Sequence, residues 1–297
     1  MNNSFRQFVQ KLIPLYSERE ARHIADMVFE KVTCFTRLDR ITMSDFPLTA
    51  LQKQKIEEME KQLIDYMPVQ YVLGEAWFYN LKLKVNSNVL IPRPETEELV
   101  SWIIEDIKKG KKWSSENGIP SLRGLDIGTG SGCIAIALKK NIPAIKMIGI
   151  DKSDAAVQVA KENGMLNQAD VDFEEADMTD TNFISHLPDL EMIVSNPPYV
   201  PLSEKREMQP QVALYEPAQA LFAPDEDPLF FYKAILKISA EKLVNEGSIY
   251  FEIDEGNGKE ILGLMEKNGF KDATLRKDLS GHDRMIRGTK QDRVITT

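Results

Sequence analysis

The chain has 297 residues, 42% of them hydrophobic and 28% charged, with a formal net charge of -9. That balance belongs to a folded globular protein with room for an ordinary domain and a small companion, and it excludes hormone-like peptides, knottins and coiled coils. The acidic total argues against a broad basic surface that grips nucleic acid through its phosphates, and two cysteines (Cys34, Cys133) with three histidines (His23, His186, His282) offer neither a disulfide framework nor paired metal-ligand spacing.

At the N-terminus, Arg6, Gln7, Gln10 and Lys11 interrupt the stretch where a secretory peptide needs a continuous apolar run. No apolar run approaches the roughly 18 residues of a membrane helix, so a cytoplasmic location is expected. Phe5, Phe8, Val9, Leu12 and Ile13 fall at helical spacing, as do Ala21, Ile24, Ala25, Val28 and Val32. A third helix is predicted from about Thr49 to Tyr66, and the three close a small bundle over residues 1–70. This part is electrically neutral, with ten Lys/Arg and ten Asp/Glu, so the acidic excess lies after it.

Over residues 71–90 the period changes. Leu81, Leu83 and Val85 alternate with lysines, and Asn86-Ser87-Asn88 is a turn signal, which predicts a hairpin joining two domains. Pro94 and the acidic residues after it suit the first turn of a helix running to about Lys109. The basic cluster Lys108 to Lys112 and the polar run to Pro120 read as a solvated connection. From Leu122 onward short apolar runs (122–127, 147–150, 171–173, 190–194, 248–253) alternate with helical stretches (132–140, 155–163, 229–243), the signature of a parallel sheet in an α/β domain over residues 91–297. Residues 273–276 and 284–287 supply two further strands.

The first of these strands runs into Gly128-Thr129-Gly130-Ser131-Gly132. Alternate glycines let the backbone turn tightly and approach a ligand closely. The dinucleotide pattern requires Gly where Cys133 stands, so the spacing GxGxG points away from a pyrophosphate and toward a nucleoside without one. Asp151 ends the second strand, where a carboxylate accepts from both ribose hydroxyls; an isolated Asp there serves equally well as a helix N-cap. Asp177 follows the third strand and can accept from an adenine amino group, with Met178 covering the ring, or be a plain loop acid. Three consecutive strand ends form one crevice, so the ordered set says more than any member.

After the fourth strand comes Asn196-Pro197-Pro198-Tyr199. Consecutive prolines fix φ and remove two N–H donors, leaving the Asn196 side-chain oxygen and the Pro197 carbonyl as a stiff acceptor pair for a planar NH2 group, with the Tyr199 ring available to stack on it. An amide or aromatic amine is a poor nucleophile because its lone pair is delocalised. A catalyst must hold that nitrogen in line with an electrophilic methyl and stabilise the positive charge that grows on it. No strong base is needed, since an N-methylated amide cation loses its proton to water, in keeping with the lack of a His or Glu motif beside the tetrapeptide. The same logic serves an exocyclic amine of RNA or DNA, and a Pro-rich turn closing a strand is the plain alternative.

The glycine loop, Asp151 and Asn196 to Tyr199 resemble the class I S-adenosylmethionine-dependent amino-methyltransferases. Gln70 to Gly74, Ile91-Pro92-Arg93-Pro94-Glu95-Thr96-Glu97, Tyr215-Glu216-Pro217 and Arg276 to Leu279 narrow the resemblance to the HemK/PrmC group of protein-(glutamine-N5) methyltransferases. The resemblance implies a Rossmann-like, mostly parallel seven-stranded sheet with a small N-terminal helical domain. It also implies S-adenosylmethionine as methyl donor, held by Gly128 to Gly132, Asp151, Asp177, Met178 and Asn196. The substrate it implies is the glutamine of the Gly-Gly-Gln loop of bacterial class I release factors, received by Asn196, Pro197, Pro198 and Tyr199 while the helical domain contacts the release factor. The Pro- and acid-rich segment 200–226 either shapes the peptide channel or is a surface excursion. His282 reads as a loop residue.

Overall fold

The computed structural model describes residues 1–43, 46–109 and 122–291. Contacts divide the chain into two compact units, residues 1–75 with 209–215, and residues 76–208 with 216–297.

The first unit holds helices α1 (Asn2–Leu12), α2 (Glu18–Thr33), α3 (Arg37–Thr42), α4 (Ala50–Ile64) and α5 (Val69–Leu73). Their starts are written in the sequence. Ser17 caps α2, while Thr36 with Asp39 and Thr49 with Gln52 form reciprocal capping boxes on α3 and α4. The apolar stripes meet around Phe29, whose ring takes Phe5 and Phe8 edge-on at centroid distances of 5.3 and 5.7 Å. The short helix α3 was not expected from periodicity. It is held by its polar face, where buried Arg40 pairs with Asp26 and lies over the Phe5 ring.

Predicted and observed structure part over residues 71–90. Helix α5 continues to Leu73, so a boundary at residue 70 falls inside it, and the hairpin is β1 (Glu75–Phe78) and β2 (Leu81–Lys84). The turn is Tyr79-Asn80, both at positive φ (49° and 61°), as a two-residue hairpin loop requires. Tyr79 carries no turn signal, whereas Asn86 only makes a local turn, accepting from Asn88 N at 2.9 Å.

The second unit continues with α6 (Pro94–Lys109), β3 (Arg123–Ile127), α7 (Cys133–Asn141), β4 (Lys146–Asp151), α8 (Asp154–Leu166), β5 (Val171–Glu175), α9 (Thr181–His186) and β6 (Leu190–Ser195). Then come β7 (Val200–Pro201), a 3-10 turn (Leu202–Glu207), α10 (Pro210–Tyr215) of the first unit, α11 (Ala218–Leu221) and β8 (Phe222–Ala223). The chain closes with α12 (Phe230–Lys242), β9 (Leu243–Glu252), α13 (Gly258–Lys267), β10 (Phe270–Lys277) and β11 (Asp283–Lys290). The predicted connection from residue 110 to Pro120 lies outside the described residues.

Seven strands form one sheet in the order β10-β11-β9-β6-β3-β4-β5. The pairings among β3, β4, β5, β6 and β9 are parallel, and β11 runs antiparallel to both β9 and β10. One face packs on α6, α7 and α8 through Ile103, Ile134 and Val157, the other on α12 and α13 through Tyr232, Ile235 and Ile261. After β5 the chain returns across β3 to lay down β6 on its other side. The strand order reverses there, and such a switch point opens a crevice at the carboxyl ends of the strands.

Candidate active site

Register builds the site. Ile127 of β3 pairs with Ser195 of β6, and Ser195 with Phe251 of β9. The next residues, Gly128, Asn196 and Glu252, therefore emerge side by side at one sheet edge. The Ser195 hydroxyl locks the first pair by donating to the Ile127 carbonyl at 2.6 Å.

The glycine loop folds back over β4, with Gly128 N and Thr129 N both donating to the Ile150 carbonyl at 2.9 Å. Gly128 and Gly130 sit at φ +72° and +54°, in the left-handed region that other residues enter at a cost. Gly132 is needed for a second reason. A Cβ there would lie 2.9 Å from Phe173 and 3.1 Å from Ile136, at φ +79°. Gly132→Ala is expected to cost about 2 kcal/mol, from left-handed strain and overpacking together; a melting temperature equal to wild type would contradict this.

A cavity of about 440 Å³ lies against the loop, within the usual size of a small-molecule site. Gly128, Gly130, Asp151, Asp177, Met178, Asn196 and Pro198 line it, so seven of the residues singled out from sequence come together. Thr129, Ser131, Gly132, Pro197 and Tyr199 are not in the lining. Thr129 and Ser131 are buried beneath the loop, the Thr129 hydroxyl donating to Asp126 at 2.7 Å. Tyr199 packs against the apolar layer under α12, and burial pushes its phenol up to about 12.

Asp151 is not the N-cap of α8; that residue is Ser153. The Asp151 carboxylate instead accepts from Gly130 N at 2.9 Å and Ser153 N at 3.0 Å, bracing the loop and the start of α8 together. Burial raises its pKa, and these backbone donors oppose the rise. Asp177 behaves oppositely. Lys152 at 2.8 Å and the Thr179 donors pull it down to about 2, so it is a firm anion at the cavity rim. These features suit a nucleoside: a carboxylate at the second strand end, an anion at the third, and apolar Ile150, Ala156, Ala176 and Met178 between.

Sequence reading missed several lining residues. Asn88, Val89 and Leu90 lie at the end of the stretch predicted as a hairpin, Gln219, Ala220 and Phe222 come from α11 and β8, and Phe230 and Phe231 open α12. It also missed a carboxylate beside the tetrapeptide. Glu252, fully buried at the end of β9, accepts from the Thr96 hydroxyl at 2.6 Å, and Thr96 accepts from Asn196 Nδ2 at 3.3 Å. Burial raises the Glu252 carboxyl to about 7. Two further motifs meet nearby, Arg93 pairing with buried Glu216 at 2.6 Å.

The comparisons agree in both parts of the chain. Residues 5–74 match the PrmC N-terminal domain and residues 115–223 the methyltransferase small domain. The fold resembles the crystal structure of the hMettl16 catalytic domain in complex with an RNA hairpin (TM-score 0.53, 15% identity, 82% of each chain), a likeness of architecture alone. A release factor glutamine methyltransferase of Bacteroides thetaiotaomicron is 36% identical over 96% of this chain and 99% of its own. With that of Flavobacterium psychrophilum the identity reaches 43%, over 97% of this chain and 98% of the relative, and on this end-to-end likeness the chain belongs to the release factor glutamine methyltransferase family.

Proposed function

We propose that the chain transfers a methyl group from S-adenosylmethionine to the side-chain amide nitrogen, N5, of the glutamine in the Gly-Gly-Gln motif of class I peptide chain release factors. One observation carries the reading: the β3–β6–β9 register sets an acceptor-bearing, proline-stiffened tetrapeptide directly beside a glycine loop and its nucleoside-sized cavity.

The loop Gly128 to Gly132 would bring backbone against the cofactor, Asp151 would accept from its ribose, and Asp177 with Met178 would take its adenine. When bound, S-adenosylmethionine supplies a methyl on cationic sulfur, an electrophile whose leaving group is a neutral thioether. The Asn196 side-chain oxygen and the Pro197 carbonyl each take one hydrogen of the glutamine NH2, which orients the nitrogen lone pair and stabilises positive charge as the N–C bond forms. Pro198 walls the approach, and Tyr199 packs behind it against the layer under α12. The surplus proton leaves to water; Glu252 is buried and does not line the cavity, so it is not the acceptor. The helical unit, residues 1–75 with 209–215, recognises the release factor, and the unit of residues 76–208 with 216–297 carries the catalysis, in the cytoplasm.

Incubation with tritiated S-adenosylmethionine and a cell extract tests this. Label is expected in a release factor and absent when its Gly-Gly-Gln glutamine is replaced by alanine. Label in the RNA fraction alone would transfer the reading to a nucleic-acid amine.

A further inference from the structure

The acceptor role given to Asn196 depends on which end of its amide faces the cavity, since the other end is a donor and repels an NH2 group. The structure contains what decides this. Thr96 and Glu252 are 2% and 1% exposed, and neither lines the cavity. Thr96 has one hydroxyl proton and gives it to Glu252 Oε2 at 2.6 Å. Its oxygen is then only an acceptor toward Asn196, and the group it meets at 3.3 Å is Nδ2, which also donates directly to the Glu252 carboxylate. With the nitrogen end held there, Oδ1 is the end left for the cavity.

We propose that Glu252, acting both directly and through the Thr96 hydroxyl, is the positioning residue that sets the orientation of the Asn196 amide and so makes it an acceptor. The proposal rests on the reading of Asn196 given above and adds to it a cause. The polarity of the relay depends on the charge of Glu252. A carboxylate can only accept, so it fixes the Thr96 proton. A neutral carboxyl can donate to Thr96, freeing the Thr96 proton to turn toward Asn196; the amide then reverses and presents NH2 to the incoming glutamine.

The groups facing Glu252 come from every neighbouring element. Arg284 of β11, the Thr96 hydroxyl of α6 and Asn196 after β6 favour its charged form, and Glu95 of α6 opposes it. Tyr232 of α12 donates to the Glu252 backbone carbonyl at 3.1 Å, and Tyr199 and Cys133 lie close enough for Glu252 to raise their own pKa values. Arg284 is itself held by Asp278 at 3.3 Å. Burial is the largest influence and brings the Glu252 carboxyl to about 7. The sign follows: the carboxylate form, and with it the acceptor orientation, is populated above pH 7 and lost as pH falls through it. A single such proton leaves about a tenth of the acceptor form one pH unit below the midpoint.

The test reads the amide directly. In ¹H–¹⁵N spectra of the full chain, the Nδ2 proton pair of Asn196, assigned by its loss in Asn196→Ala, is expected to titrate with a midpoint near 7. Glu252→Gln should flatten that titration, Thr96→Val should weaken it, and Thr96→Ser, which keeps the hydroxyl, should restore it. In methylation assays Glu252→Gln should lower kcat about tenfold at pH 8 and remove the fall toward pH 6, while S-adenosylhomocysteine binds within about twofold of wild type. An Asn196 signal that does not titrate in the wild type, or one that titrates unchanged in Glu252→Gln, overturns the proposal. Should Thr96→Val fail to fold, the comparison of Glu252→Gln with Thr96→Ser decides the matter. The spectra need neither cofactor nor release factor, so failure of the methylation reading itself shows separately, as absence of label with the wild type.

Discussion

Asn196→Ala is expected to lower turnover by at least roughly a hundredfold, the scale of losing one oriented polar group at a reacting centre. The cofactor cavity should survive. Asn196 is one contributor to a lining otherwise built by the glycine loop, Asp151, Asp177, Met178 and the aromatic residues near β8. Truncation removes one donor to Glu252 but leaves the 2.6 Å bond from the Thr96 hydroxyl, so the buried carboxylate keeps a close partner. Binding of S-adenosylhomocysteine by calorimetry should therefore change by no more than about twofold while kcat collapses, the pattern of an interaction that matters most as charge develops on nitrogen. Turnover near that of wild type would remove Asn196 from the reaction and with it the argument from the tetrapeptide.

That residue was legible because its signal is local. Asn196, two prolines and Tyr199 adjoin a strand, and prolines state their geometry in the sequence. The helix starting at Pro94 and the strands around 123–127, 146–151 and 190–195 were legible for the same reason, through period and punctuation. Glu252 was not. It sits 56 positions after Asn196 in a strand that reads as apolar core, and only the pairing of Ser195 with Phe251 brings the two together. Leu90 and Phe222 were hidden likewise, since cavity walls are drawn from segments that periodicity treats as connections. The turn at Tyr79-Asn80 failed differently. The Tyr79 amide donates to Glu97 Oε1 of α6 at 2.9 Å and its ring packs on the sheet core, contacts distant in sequence of which composition gives no warning.

The pair that holds two of those hidden segments should have the largest effect on stability. Arg93 precedes α6 by one residue and Glu216 follows α10, and their 2.6 Å contact ties the loop Asn88 to Ile91 to the chain entering α11. The two partners differ in exposure, 32% for the Arg93 side chain and 1% for that of Glu216. Removing the guanidinium leaves a buried carboxylate with, among the described residues, the Ile91 amide at 3.3 Å as its remaining donor, whereas removing the carboxylate leaves a cation that reaches water. Arg93→Met is thus expected to cost about 3–5 kcal/mol, the usual penalty of an uncompensated buried charge, and Glu216→Gln clearly less. For a chain of this size that lowers the melting temperature by on the order of 5–10 °C. Combining the two substitutions should recover most of the loss, because the penalty belongs to the stranded charge and not to the contact. Cofactor affinity should fall with Arg93→Met as well, since the loosened segments carry Asn88, Val89 and Leu90 on one side of the cavity and Gln219, Ala220 and Phe222 on the other. Equal destabilisation by the two single variants, or a double variant no more stable than Arg93→Met, would show that the contact itself, and not the buried carboxylate, governs this part of the fold.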